Sequence, residues 1–179
     1  MKIGIVGGPG CGKSTIASGL FYYLKKSGKS VEIVPELIKF AVYSGEDFTR
    51  VGFDIKNTLE QQNLEKIFDA VQGKECDIII AEAPLCNGWF YSSFYKKTKE
   101  EPVLCKIAQD SISSYDRLIL VEPNDSNSYE TFGRKETKEQ SRALSKHIDT
   151  LLRTICDESK ITRISMNSKI IPLIKSLNI

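Results

Sequence analysis

Histidine is nearly absent from this chain, since His147 is the only one in 179 residues. That scarcity sets aside a multi-histidine metal centre and a histidine general base. Cysteine is present without a pattern. Cys11, Cys76, Cys86, Cys105 and Cys156 are odd in number, scattered and free of any CxxC pair, so neither a disulfide framework nor a zinc site is supported. No apolar run approaches the roughly 20 residues needed to cross a bilayer. The first apolar stretch, Ile3 to Val6, ends in glycines and not in a signal-peptide cleavage pattern. A soluble, cytoplasmic protein is expected. An excess of one charge is also missing, because 25 Lys and Arg stand against 23 Asp and Glu for a net charge of +2. Only a local basic stripe could then argue for nucleic acid. Chemistry must rest on carboxylates, lysine, arginine and bound metal. The length suits one globular domain, residues 1–179, and no linker, repeat or low-complexity tract divides it.

What is there is a regular alternation of elements. Lys2 to Val6 reads as a buried strand, followed by a helix from Ser14 to Lys26 with Ile16, Leu20 and Leu24 on one face. Val31 to Val34 is a second strand, and Pro35 leads into an apolar stretch with Leu37, Ile38, Ala41 and Val42. Leu64, Ile67, Phe68 and Val71 mark a helix that Gly73 stops, before the strand Asp77 to Ala81. A helix near Val103 to Ile112 precedes a strand at Leu118 to Val121. A long helix carries Leu144, Ile148, Leu151, Leu152 and Ile155, and a last strand, Ile161 to Ser165, is closed by a helix with Ile170, Ile171 and Ile174. Strands separated by helices predict a parallel five-stranded sheet covered on both faces, an α/β fold. The polar segment Asn124 to Lys135 reads as a mobile loop.

Gly7, Gly8, Pro9, Gly10, Cys11, Gly12, Lys13, Ser14 and Thr15 spell GGPGCGKST, which satisfies G-x-x-x-x-G-K-[ST] between a strand and a helix. In that position the glycines let main-chain N–H groups wrap phosphate, the helix N-terminus adds positive potential, Lys13 bridges phosphate oxygens and Ser14 coordinates Mg²⁺. The expected ligands are therefore ATP or GTP with Mg²⁺. A second metal-binding acid is needed from a neighbouring strand end, and DIIIAE puts Glu82 there, where the alternative is a solvated terminal carboxylate. Glu36 follows the second strand. It suits a carboxylate that accepts a proton from a substrate hydroxyl, or simply an acid in a helix first turn. Arg134, Lys135 and Arg142 lie in or after the polar segment, either as a cationic lid over a transferring phosphoryl group or as a solvated basic face. Trp89, Phe90, Tyr91, Phe94 and Tyr95, beside Lys96, Lys97 and Lys99, suit either stacking on a base or core packing. Gln61 and Gln62 could bond a substrate, though polar helical residues are usually solvated. His147 reads as a surface residue.

The order GGPGCGKST, VEIVPELIKF, CDIIIAEAPL and YDRLILVEP, followed by FGRKETKEQSRALSKHID, resembles the NadR-like AAA-family P-loop kinases across most of the chain. The resemblance implies a P-loop NTPase fold with an arginine-bearing lid. It places Glu36 near the phosphoryl acceptor, Glu82 at Mg²⁺, Arg134 in the lid, and the loop Met166-Asn167-Ser168 against the adenine. It departs from the related deoxynucleoside kinases after the third-strand acid, where they carry arginine and this chain has Ala83-Pro84. The expectation is an ATP- and Mg²⁺-dependent kinase acting on a nucleoside, nucleotide or modified-base hydroxyl. Alternatives are a kinase for 5-hydroxymethyluracil in DNA and an ATP-dependent switch with no small acceptor. The guanine-reading NKxD pattern is not present, which disfavours a GTPase.

Overall fold

The computed structural model describes residues 1–47, 50–97, 99–123, 136–177 and 179. Five strands, β1 (Lys2–Val6), β2 (Val31–Val34), β3 (Ile78–Ala81), β4 (Arg117–Glu122) and β5 (Ile161–Ser165), form one sheet in the order β2-β3-β1-β4-β5. Every pairing is parallel. Between them run α1 (Lys13–Lys26), α2 (Ile38–Tyr43), α3 (Phe53–Asp69), α4 (Cys86–Phe94), α5 (Glu101–Ser111) and α6 (Lys138–Ile155), with α7 (Ile170–Ser176) last. The expected α/β fold with five parallel strands is present.

The central strands β1, β3 and β4 are largely apolar on both sides because both sides are covered, whereas the edge strands β2 and β5 also carry Glu32, Thr162 and Arg163. Side chains alternate between layers along each strand. Ile3 and Ile5, Ile78 and Ile80, and Ile119 and Val121 face a core that holds Ile16, Leu20 and Leu24 of α1 and Leu173 of α7. Val6, Ile79, Ala81, Leu118 and Leu120 face the opposite core, with Trp89 and Phe90 of α4, Leu104 of α5, and Leu144, Ile148 and Leu152 of α6.

One helix start differs from the periodicity expected of it, and one helix was not expected at all. The helix ahead of Gly73 begins at Phe53, eleven residues before Leu64, because its first half buries Phe53, Thr58 and Gln61 in place of a continuous apolar stripe. Ile67, on that expected face, is 67% exposed. The aromatic segment is itself helix α4, and its Trp89 and Phe90 are buried in the core. The polar segment 124–135, with Arg134 and Lys135, lies outside the described residues. No helix among the described residues is long and apolar enough to cross a membrane.

Candidate functional site

The sheet order reverses around β1, so the ends of β1, β2 and β3 open together into one crevice, the place where open α/β sheets gather ligands. The loop after β1 runs directly into α1, whose N-cap is Gly12 with φ 101° and no side-chain cap. Only glycine adopts that backbone readily, and a Cβ there would collide with Met166. The first amides of a 14-residue helix are thus left for an anion, with no acidic residue in the first turn.

Lys13 is buried and donates from Nζ to the carbonyls of Gly7 at 3.1 Å and Gly8 at 3.2 Å. Burial alone would lower the pKa of this ammonium, but Tyr91 and the carboxylates Glu36 and Glu82 nearby hold it above the ordinary lysine value. Cys11 turns into the core, and burial raises its thiol. Only its main chain faces the loop. Ser14 and Thr15, one step along, are exposed. Helix α6 closes the other side. Ser141 Oγ donates to the Pro9 carbonyl, and a Cβ on Gly8 would sit 2.2 Å from Ser145 Oγ and 2.9 Å from the Ser141 carbonyl oxygen. Both small residues of α6 and the absent side chain of Gly8 are what allow this approach.

Two acids meet beside the loop. The Glu82 N–H donates to Val34 O at 3.0 Å, which ties the end of β3 to that of β2 and sets Glu82 next to Glu36. Glu36 is buried and lies just ahead of α2. Gln61 reaches across from α3 to clamp its neighbours, donating to Pro35 O and accepting from Leu37 N, both at 3.0 Å. Lys39 completes the cluster. Its Nζ lies 2.6 Å from Ser14 Oγ, 3.2 Å from each Glu82 oxygen and 3.7 Å from Glu36 Oε2. Although burial works to raise Glu82, the Ser14 hydrogen bond and the Lys39 charge bring its pKa below the usual carboxylate value.

A cation therefore stands where the Ser14 hydroxyl and the Glu82 carboxylate converge, and those two hard oxygen donors fit Mg²⁺. Mg²⁺ takes few protein ligands and completes its shell with water and phosphate. Accordingly, no cluster of three or more His, Cys, Asp or Glu able to hold a metal occurs among the described residues.

Sequence reasoning brought Lys13, Ser14, Glu36 and Glu82 to this crevice, missed Lys39, and read Gln61 as a possible substrate contact. The spacing Glu36 to Lys39, one helical turn after a strand end, was the available signal for Lys39. Gln61 is buried on the main chain of residues 35 and 37, neither solvated nor free for a substrate. Asn167 is exposed in a turn closed by Ser168 N–H to Ser165 O at 2.9 Å, next to the Met166 that abuts Gly12. Arg142 is exposed on α6. His147 is half-buried against Phe94, with ring centroids 5.6 Å apart, and is not a plain surface residue. Phe94 thereby joins α4 to α6, and Tyr95 Oη, just past α4, donates at 2.8 Å to Glu136, two residues ahead of α6. Lys97 pairs with Asp54 at 2.8 Å. A cleft of about 250 Å³ opens between α2 and α3, lined by Leu37, Phe40, Ala41, Phe53, Asn57 and Glu60. It begins one residue beyond Glu36.

Residues 2–171 match the family model described as an AAA domain. The chain belongs to that AAA domain family. Similar folds occur in the NadR protein solved in complex with NAD and AMP-PNP, with a TM-score of 0.68 at 12% identity, over 99% of this chain and 49% of that one. The chain thus spans about half the length of NadR. Deoxyadenosine kinase from M. mycoides is similar in two states. The state with dCMP and a flexible dCDP gives a TM-score of 0.61 at 17% identity over 99% of this chain and 97% of that one. The state with bound dATP gives 0.62 at 18% identity over the whole of both chains. At such identities the likeness is one of fold. No curated protein matches the sequence. The family match and these folds agree with the resemblance to NadR-like P-loop kinases.

Proposed function

We propose that the protein is a kinase that moves the γ-phosphoryl group of ATP to a hydroxyl or phosphate of a nucleoside-like acceptor. The observation that carries this reading is the second acid. A P-loop needs one strand-end carboxylate for its metal, Glu82, whereas Glu36 is buried beside it, its flanking main chain clamped by Gln61, one residue ahead of the partly apolar cleft that begins at Leu37. A nucleotide switch has no use for that arrangement. A kinase does, since a carboxylate must orient the attacking hydroxyl and receive its proton.

In the proposed chemistry Lys13 and the α1 amides hold the β- and γ-phosphates. Ser14 and Glu82 would hold Mg²⁺, which would neutralise charge developing on the phosphates. Glu36 directs the acceptor from the α2–α3 cleft toward the γ-phosphorus. Arg134 is assigned to cover the transferring group, and the helix that follows its segment is held against Gly8 and Pro9. Asn167 borders the base of ATP. Positioning supplies most of the rate. The AMP-PNP and NAD of NadR and the nucleotides of deoxyadenosine kinase are compatible with this reading. A modified base in DNA stays within the acceptor class, and of the aromatic segment Tyr95 alone is exposed to serve it, since Trp89 and Phe90 are core residues and Tyr91 and Phe94 are half-buried.

The test is to incubate the protein with γ-labelled ATP and separate pools of nucleosides, nucleotides and hydroxymethylated DNA. Label is expected in one acceptor pool. Label appearing only as inorganic phosphate, whichever pool is supplied, would replace the kinase by a nucleotide-dependent switch.

A further inference from the structure

Among the described residues, Lys39 is the charged side chain of the crevice to which the proposed chemistry gives no task. It contacts Ser14, Glu82 and Glu36 at once, with Nζ at 2.6 Å from the hydroxyl, 3.2 Å from both Glu82 oxygens and 3.7 Å from Glu36 Oε2. Its main chain is fixed relative to Glu36, because its N–H donates to the Glu36 carbonyl at 3.3 Å. The head group is not fixed in the same way. The side chain is 36% exposed and the stem is four carbons long, so the ammonium enters the crevice from the solvent side and has a path back out. The two carboxylates are far less exposed, at 11% and 12% of their side-chain surface, and like charges brought that close raise each other's energy unless a cation stands between them.

We propose that Lys39 is the resident counter-cation of the metal locus: its ammonium takes the place between Ser14 Oγ and Glu82 that a divalent ion occupies, and the two cations exclude each other. The inference rests on the reading of Ser14 and Glu82 as metal donors. An ammonium held at hydrogen-bond distances of 2.6 and 3.2 Å fills the same space as an ion that would draw those oxygens to about 2.1 Å. Without nucleotide, the protein then has an internally neutralised site and little affinity for free divalent cations. An ion arriving already bound to ATP brings phosphate oxygens as further ligands, and with them the affinity to displace the lysine. Glu36, 3.7 Å from the ammonium, is the acid left to receive it, which moves a positive charge toward the acceptor side of the crevice as the metal enters. Metal entry is thereby coupled to nucleotide entry.

Mn²⁺ titrated into the nucleotide-free protein and followed by electron paramagnetic resonance tests this directly, with no turnover involved. Lys39→Met keeps the stem and removes the charge. It should bind Mn²⁺ at least roughly tenfold more tightly than the parent, a gain abolished by adding Glu82→Gln, because the freed donors are that residue and Ser14. Lys39→Arg retains a cation and should bind as weakly as the parent. Equal Mn²⁺ affinity in the parent and Lys39→Met, with Glu82→Gln still weakening Mn²⁺ binding in the presence of AMP-PNP, would overturn the role of Lys39 and leave the metal site standing. If Glu82→Gln alters Mn²⁺ binding in neither setting, the metal-site reading fails and the inference fails with it.

Discussion

At the scale of single residues, the proposed chemistry divides the crevice between groups that would hold phosphate and groups that would handle metal and acceptor. Lys13 is the ammonium inside the P-loop, and without phosphate it is satisfied by the Gly7 and Gly8 carbonyls. Lys13→Ala removes charge-assisted contacts worth about 1.5–3 kcal/mol each. Isothermal titration should show MgATP affinity falling by one to two orders of magnitude or more, and parental affinity would remove ATP from this loop. The two glutamates should fail differently. Glu82→Gln is expected to raise the Mg²⁺ concentration needed for activity and to impair hydrolysis along with transfer. Glu36→Gln should spare MgATP binding while transfer drops by two orders of magnitude or more, leaving slow hydrolysis to water. Steady-state rates against Mg²⁺ and against acceptor distinguish the two patterns, and a Glu36→Gln protein with parental transfer kinetics would return Glu36 to the role of a helix-start acid. Lys13, Glu36 and Glu82 were legible as candidates because a P-loop spacing and an acid at the end of an apolar strand are local patterns. Lys39 was not, and Gln61 was legible only as a possible substrate contact. Each is a polar residue on a helix, where solvation is the ordinary expectation, and only the packing of α2 and α3 over the β2 end decides otherwise.

At the scale of elements, the central strands were readable for a physical reason: a parallel sheet covered on both faces needs apolar side chains on both, as the runs at Ile3, Ile78 and Leu118 supply, while the edge strands at Val31 and Ile161 keep a shorter, mixed pattern. Helix α3 was only half legible. Its first half buries Thr58 and Gln61, and its N-terminus has no cap of its own. The cap comes from 45 to 48 residues away along the chain, where buried Glu100 accepts from the N–H groups of Gly52 at 2.9 Å, Asp54 at 3.1 Å and Ile55 at 3.2 Å. Such a contact has no sequence signature, since donor and acceptor meet only after α5 docks. Three main-chain donors and the positive end of a 17-residue helix converge on one carboxylate. Glu100→Ala should therefore destabilise the fold by roughly 1–3 kcal/mol, the cost of leaving such donors without their charged partner. Urea unfolding measures it. A midpoint unchanged from the parent would mean that water or another group caps the helix equally well.

At the scale of the whole molecule, the two ends of the sheet divide the work. The C-terminal ends of β1, β2 and β3 carry the crevice, and the N-terminal end of β1 carries a buried charge network. Lys2, 3% exposed, pairs with Glu65, 1% exposed, at 2.8 Å and with Asp69 at 2.9 Å. Tyr115 Oη donates to Glu65 Oε2 at 2.8 Å and accepts from Leu85 N at 3.1 Å, while Lys2 Nζ lies 4.9 Å from the centre of its ring. Burial pushes Glu65 above the usual carboxylate range although Lys2 pulls it down, so this carboxylate relies on its partners. Removing one member of such a set leaves an uncompensated charge in the core, which costs about 3–5 kcal/mol, whereas replacing the pair by apolar residues of similar volume is often close to neutral. Lys2→Met should accordingly lower unfolding stability by that amount in denaturant, and Lys2→Met with Glu65→Leu should recover most of the loss. MgATP affinity should be unchanged in whatever fraction of the double variant is folded, because neither residue touches the P-loop, Glu36 or Glu82. If the single and double variants are equally destabilised, the network contributes through packing and not through charge compensation. If ATP affinity falls with it, the N-terminal end of the sheet is coupled to the crevice, and the path to examine runs from Tyr115 through the Leu85 N–H to Glu82, three residues earlier in the chain.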